Sequence, residues 1–402
     1  MTKGEARLAL GFSCIAHTIT HLMMLIYPVV VLSLEREFNQ PYAELLPLAF
    51  AGFVLYGVAA LPAGWLADRF SATAMMVVFY LGIGLSSIAT GFADGPLGIA
   101  VGLGSVGLFA AIYHPVGIAW LVRHAESRGK ALGFNGLFGS LGTAVAALVA
   151  ASLTDLFGWR WAFIVPGLVA CAVGGAFIVA LGTGAIRETK VDRAPVEAPS
   201  RDDAVRASLI LFGSMFVTGL LFQTLSVAMP KLFEQRIGEV LAQIGTIGVA
   251  GMVTIVYLIS MGAHLLGGYL ADRASAKTTY FVTYLLQVPT LFVAASIDSL
   301  LLVVVAALAV FWNVASTAPE NVLLAHYTPA KWRATAYGAK FVLALGVGAL
   351  GVPLVAAVHE RTGDFVWTFW ILGGLAILVT LIALWLPSAP TTKTAAASQP
   401  AK

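Results

Sequence analysis

Charge is what this chain has least of. Asp, Glu, Lys and Arg make up 11% of its 402 residues while 59% are hydrophobic, and the mean hydropathy is +0.90. A soluble domain carries roughly 25% charged residues and covers its surface with them, so a cytosolic enzyme and a disordered protein are both excluded. The formal net charge of +3 leaves no footprint for nucleic acid. Cysteine is nearly absent: Cys14 and Cys171 both fall inside apolar runs. They cannot build a disulfide framework or a cysteine zinc site, and they read as small packed side chains. A G-x-S-x-G elbow, an H-E-x-x-H helix and a P-loop are also missing. No enzyme, no cofactor and no direct ATP coupling are therefore expected.

What the chain has in quantity is apolar length. A spanning helix needs about 20 mostly apolar residues at 1.5 Å rise each. Gly, Pro and charge clusters divide the chain into twelve such segments: 8–34, 45–66, 73–92, 97–122, 131–154, 160–182, 207–230, 244–270, 279–297, 299–325, 334–358 and 365–387. The run from Leu8 to Leu34 lacks a small-residue cleavage site and reads as a retained span, not a signal peptide. With the N-terminus cytoplasmic, 18 of the 23 Lys and Arg, Lys340 among them, fall on the inner side. Arg36, Arg160, Lys231, Arg236 and Arg361 fall outside. That bias predicts both termini inside. The polar stretch 187–206 reads as a cytoplasmic linker between a bundle at 1–186 and a second at 207–387, and 388–402 as a disordered tail.

An internal repeat links the two halves. Gly64-Trp65-Leu66-Ala67-Asp68-Arg69 recurs 204 residues later as Gly268-Tyr269-Leu270-Ala271-Asp272-Arg273. Arg128-Gly-Lys-Ala-Leu-Gly133 recurs at an offset of 205 as Arg333-Ala-Thr-Ala-Tyr-Gly338. An Asp-Arg pair at a helix end, facing a basic helix start, can form a cytoplasmic latch that closes in one state and breaks in another. Gly64, Asp68, Arg69, Arg128, Gly268, Asp272, Arg273 and Arg333 are the gating candidates.

These loops, together with Gly158-Trp-Arg-Trp-Ala-Phe163, resemble the major facilitator superfamily of secondary transporters over residues 8–387. The resemblance implies an all-α membrane protein of two pseudo-symmetric six-helix bundles, with a substrate cavity lined by the first, fourth, seventh and tenth spans. Two segments look most like the fosmidomycin-resistance type of efflux carrier: His17-x-x-x-His21 before Tyr27-Pro28, and Tyr113-His114-Pro115. That branch has an acid where this chain has His21, and another where it has Val116. A glycine ladder, Gly133, Gly136, Gly139 and Gly142, is similar to the family's antiporter motif, with Thr143 at the place of its proline.

Ionisable groups inside a span are costly and mark function by default. His17 and His21 share one face at i, i+4, and Pro115 beside His114 frees a backbone carbonyl in the fourth span. At the 205 offset Pro115 corresponds to Glu320, followed by Asn321. The cavity candidates are His17, His21, Tyr27, Tyr113, His114, Gln223, Thr224, Glu320 and Asn321. His264 reads as a packing residue. The three histidines could give nitrogens to a metal, but the spacing arises in any histidine-bearing helix and no Cys- or His-rich loop feeds it, so no metal ligand is assigned.

The expectation is a monomeric carrier in a bacterial inner membrane, exporting a small organic solute with a proton as coupling ion. Uptake of a metabolite, or of a metal ion or chelate, through the histidine-lined cavity stands as the alternative.

Overall fold

The computed structural model describes residues 2–125, 128–187, 201–243, 245–328 and 333–387, and no side chain at 128–130, 201–204, 272 or 333–335. Every regular element among them is helical. Eleven helices are long and apolar enough to cross a membrane: α1 (Lys3–Phe38), α2 (Tyr42–Arg69), α3 (Ala72–Gly91), α4 (Pro96–His124), α5 (Ala131–Phe157), α6 (Trp161–Gly182), α7 (Val205–Ile237), α8 (Gly245–Ala271), α10 (Leu301–Tyr327), α11 (Ala336–Thr362) and α12 (Val366–Ala383). α9 (Ala276–Ala294) is less apolar because it carries Lys277, five threonines or tyrosines in its first half and Gln287, yet it fills the ninth place in the alternation.

Helix bounds depart from the sequence expectation where the chain finds extra partners. α1 starts at Lys3 because Thr2 and Glu5 form a reciprocal capping box. It runs on to Phe38 through a break at Ile26, before the Tyr27-Pro28 pair. The last residues of the expected 187–206 linker are helical from Arg201; residues 188–200 and the tail 388–402 lie outside the described residues.

Two pairs of helices join the halves along their length, α2 with α11 and α5 with α8. The α2–α11 crossing is close enough that a Cβ on Gly57 would collide with the backbone of Gly346, so a small residue is required there. At the outer end α1 meets α7: Lys231 Nζ lies 2.7 Å from Glu35 Oε2 and 2.8 Å from Glu234 Oε2. The Tyr42 hydroxyl donates across the same boundary to the Val227 carbonyl at 3.0 Å, and the Tyr42 ring stands 5.2 Å from His359.

Candidate functional site

Polar side chains are scarce inside the helices, and they gather in two networks. In the first half, Asn135 of α5 donates from Nδ2 to the Tyr113 hydroxyl at 2.8 Å and to Ser13 Oγ at 3.2 Å. Tyr113 donates in turn to the Ser13 carbonyl at 2.9 Å. His17 Nδ1 sits 2.9 Å from the Asn135 carbonyl and 3.0 Å from its Oδ1. Both are acceptors, so Nδ1 carries the proton.

His114 comes from a π-turn at Tyr113–Gly117. Pro115 cannot donate and its ring crowds the preceding turn, which widens the helix at this point. The imidazole reaches the Tyr56 hydroxyl of α2 at 3.2 Å. Its ring lies 5.5 Å from His17 and 5.4 Å from His21, which are themselves 5.0 Å apart. Phe341 of α11, 5.1 Å away, contacts the same ring from the other half. The three histidines therefore sit where the halves meet.

In the second half Glu320 is 1% exposed. Its Oε1 pairs with Lys340 Nζ at 2.7 Å, and its Oε2 accepts from Tyr280 at 3.1 Å and Thr218 at 3.2 Å. Thr218 also bonds Tyr284, and Lys340 donates to Asn321 Oδ1 at 2.6 Å. A buried carboxylate and ammonium are tolerable only when paired and hydrogen-bonded in this way. A second π-turn, Val342–Val347, follows directly on Lys340 and Phe341.

The two networks occupy repeat-related places. At the 205 offset Ser13 becomes Thr218, Pro115 becomes Glu320 and Asn135 becomes Lys340. One set of backbone positions thus carries a neutral network in one half and an ion pair in the other. Sequence reasoning missed Lys340, which reads as an inner-side cation beside Lys331 and Arg333 but is 7% exposed and inside the bundle. Its signal was the second repeat motif, because it stands two residues beyond Gly338.

Three other expected cavity residues, Tyr27, Thr224 and Gln223, make no hydrogen bond in either network. Tyr27 is 1% exposed and donates to the Leu45 carbonyl at 2.6 Å, tying the α1 break to the start of α2. Thr224 packs against Gly351, leaving no room for a Cβ there. Gln223 is buried beside it; its Nε2 and the Thr224 hydroxyl have no partner among the described residues.

Part of the expected cytoplasmic latch lies among the described residues. Asp68 pairs with Arg123 at 3.8 Å, a contact within the first half and not across the boundary. Arg69 turns to Phe70 and Arg273 to Tyr269. Gly64 lies 3.5 Å from Pro115 by its virtual Cβ, while Gly268 faces open space. The side chains of Arg128, Asp272 and Arg333 lie outside the described residues.

A family model described as the Major Facilitator Superfamily matches residues 12–339 and 211–402. The chain is 35% identical over 126 residues to a puromycin resistance protein of Streptomyces alboniger, covering 31% of this chain and 24% of that one. It is 29% identical over 166 residues to a protein named as a probable sulfoacetate transporter of Cupriavidus necator, covering 40% of this chain and 38% of that one. These two matches span well under half of the relatives' lengths. A gallate transporter of Pseudomonas putida is 24% identical over 392 residues, covering 88% and 83%. The fold is similar to that of a bacterial homologue of the human lysosomal transporter Spinster, at a TM-score of 0.74 and 14% identity over 96% of this chain and 95% of that one. With twelve helices in two halves and a family match along nearly its whole length, the chain belongs to the Major Facilitator Superfamily.

Proposed function

We propose that this chain is a proton-coupled secondary carrier of a small organic anion in a bacterial inner membrane. The observation that carries the reading is the buried Glu320–Lys340 pair. When Glu320 takes up a proton its charge is lost, and the Lys340 ammonium is left without a counter-ion in a low-dielectric site. A carboxylate or sulfonate from the substrate then supplies the missing charge, which links one proton to one binding event. The groups bonded to Glu320 are Lys340 and, as hydroxyl donors, Thr218 and Tyr280, with Tyr284 bonded to Thr218 behind them. His17, His21 and His114, which stand where the halves meet, can donate to an anion as well. Gallate and sulfoacetate, the solutes in the names of two relatives, are anions of the size class this reading requires.

Because proton and anion load the same carrier state in this scheme, the direction we assign is uptake together with inward proton flow; the likeness of the α5 glycine ladder to the antiporter pattern keeps export in exchange for protons as the second reading. Placement nearest the fosmidomycin-resistance branch rests on the Tyr27-Pro28 and Tyr113-His114-Pro115 segments. Monomeric function is taken as the default.

The test is flux of labelled aromatic carboxylates and small sulfonates in right-side-out vesicles placed in an acid bath. Gradient-driven accumulation in the lumen, at least tenfold above vesicles without a gradient, is expected. Glu320→Gln should remove the gradient dependence while leaving the protein in the membrane. Flux indifferent to the gradient in both proteins would sink the coupling, and release from the lumen would reverse the direction.

A further inference from the structure

His17, His21 and His114 form the densest group of ligating side chains among the described residues, and the transport reading above assigns them no task of their own. One ligating nitrogen from each lies within 4.8 Å of the other two. A tetrahedral ion with metal–nitrogen bonds of about 2.0–2.1 Å holds its nitrogens about 3.4 Å apart. Binding therefore requires the imidazoles to turn toward one another about their side-chain torsions.

Two features prepare these rings for a metal. Ligating histidines almost always hold the second ring nitrogen in an outer hydrogen bond, which fixes the tautomer. The Asn135 carbonyl does this for His17 at 2.9 Å, and the Tyr56 hydroxyl stands where it can do so for His114 at 3.2 Å. Gly139 supplies the second feature. A Cβ there would come within 2.5 Å of His17 Nε2 and Cε1, so the ring lies in a notch that any side chain would fill.

We infer that His17, His21 and His114 form a three-nitrogen binding site for a borderline divalent transition-metal ion such as Zn(II) or Co(II). Three neutral imidazoles suit these ions, whereas Mg(II) and Ca(II) require oxygen ligands. The fourth position is left to water or to an anionic group. This inference rests on the histidine geometry and not on the Glu320–Lys340 pair, so the two readings fail separately.

The test is titration of the purified full chain with Co(II), followed by visible absorption, then displacement by Zn(II). One tetrahedral Co(II) per chain is expected, displaced by one Zn(II). His17→Ala, His21→Ala and His114→Ala should each weaken binding by tenfold or more. Tyr56→Phe and Gly139→Ala, which leave all three ligands in place, should weaken it by about tenfold through ring orientation. His326→Ala, at an exposed histidine, and Glu320→Gln should bind like the wild type. Binding that is absent below millimolar Co(II), purely octahedral, or retained in the His17→Ala/His114→Ala double variant would overturn the site. Thermal unfolding of each variant separates loss of the site from loss of the fold.

Discussion

At the scale of single residues the Glu320–Lys340 pair is the most demanding feature of the molecule. Removing one partner of a buried pair leaves an uncompensated charge and typically costs 3–5 kcal/mol, whereas replacing both can be neutral. Lys340→Met should therefore lower unfolding stability by about 3 kcal/mol. Glu320→Gln/Lys340→Met should recover most of that loss, as measured by denaturant unfolding in detergent. Additive losses in the double variant would mean the two side chains act independently. Glu320 was legible in the sequence because it is an acid far inside a span. Lys340 was not, because a lysine near a helix start with Lys331 and Arg333 upstream matches the ordinary pattern of an inner-side loop. Only its partner, 20 residues away along the chain and in direct contact on the neighbouring helix, distinguishes it.

At the scale of elements, helix existence was legible and helix irregularity only partly so. Twenty apolar residues in a row admit no other structure in lipid, and Pro115 announced the opening of α4. The second π-turn, in α11 at Val342–Val347, has no proline and left no mark. Tyr27 is assigned to the cavity through the likeness of His17-x-x-x-His21 before Tyr27-Pro28 to the fosmidomycin-resistance carriers. The break at Ile26 instead turns Tyr27 toward α2, where its hydroxyl caps the Leu45 carbonyl. The duplicated Asp-Arg loops were legible as motifs, but not the partner of Asp68. That partner is Arg123, with 68% of the Asp68 side chain exposed, and exposed pairs contribute at most about 1 kcal/mol. Asp68→Asn should accordingly leave stability within that margin while slowing turnover several-fold in the vesicle assay, through looser docking of α2 on α4. Unchanged turnover would reduce the loop to a marker of membrane orientation.

At the scale of the whole molecule, the cations on the outer side are arranged so that the orientation signal survives them. Lys231, Arg236 and Arg160 are each paired: with Glu35 and Glu234, with Asp298 and Asp364, and with Glu37. Arg236 and Arg160 hold helix ends within one half, whereas Lys231 bridges α7 to α1 across the boundary. Alternating access requires one end of that boundary to close while the other opens, and Lys231 stands at the closed outer end beside the Tyr42–Val227 bond. Lys231→Met would leave Glu35 and Glu234 facing each other without a cation, turning an attraction between the halves into a repulsion. Glu35→Gln keeps the Lys231–Glu234 contact and should act more weakly. Val227, fully buried one turn inward from Lys231, reports the change when replaced by cysteine in a Cys14→Ala/Cys171→Ala background. A shift of about 1.4 kcal/mol toward the open state raises its labelling by an impermeant maleimide tenfold. That rise is expected for Lys231→Met, with a smaller one for Glu35→Gln. Equal labelling in all three proteins would mean that the outer seal is made by the contacts of Tyr42 with Val227 and His359 and that the ion pair only decorates it.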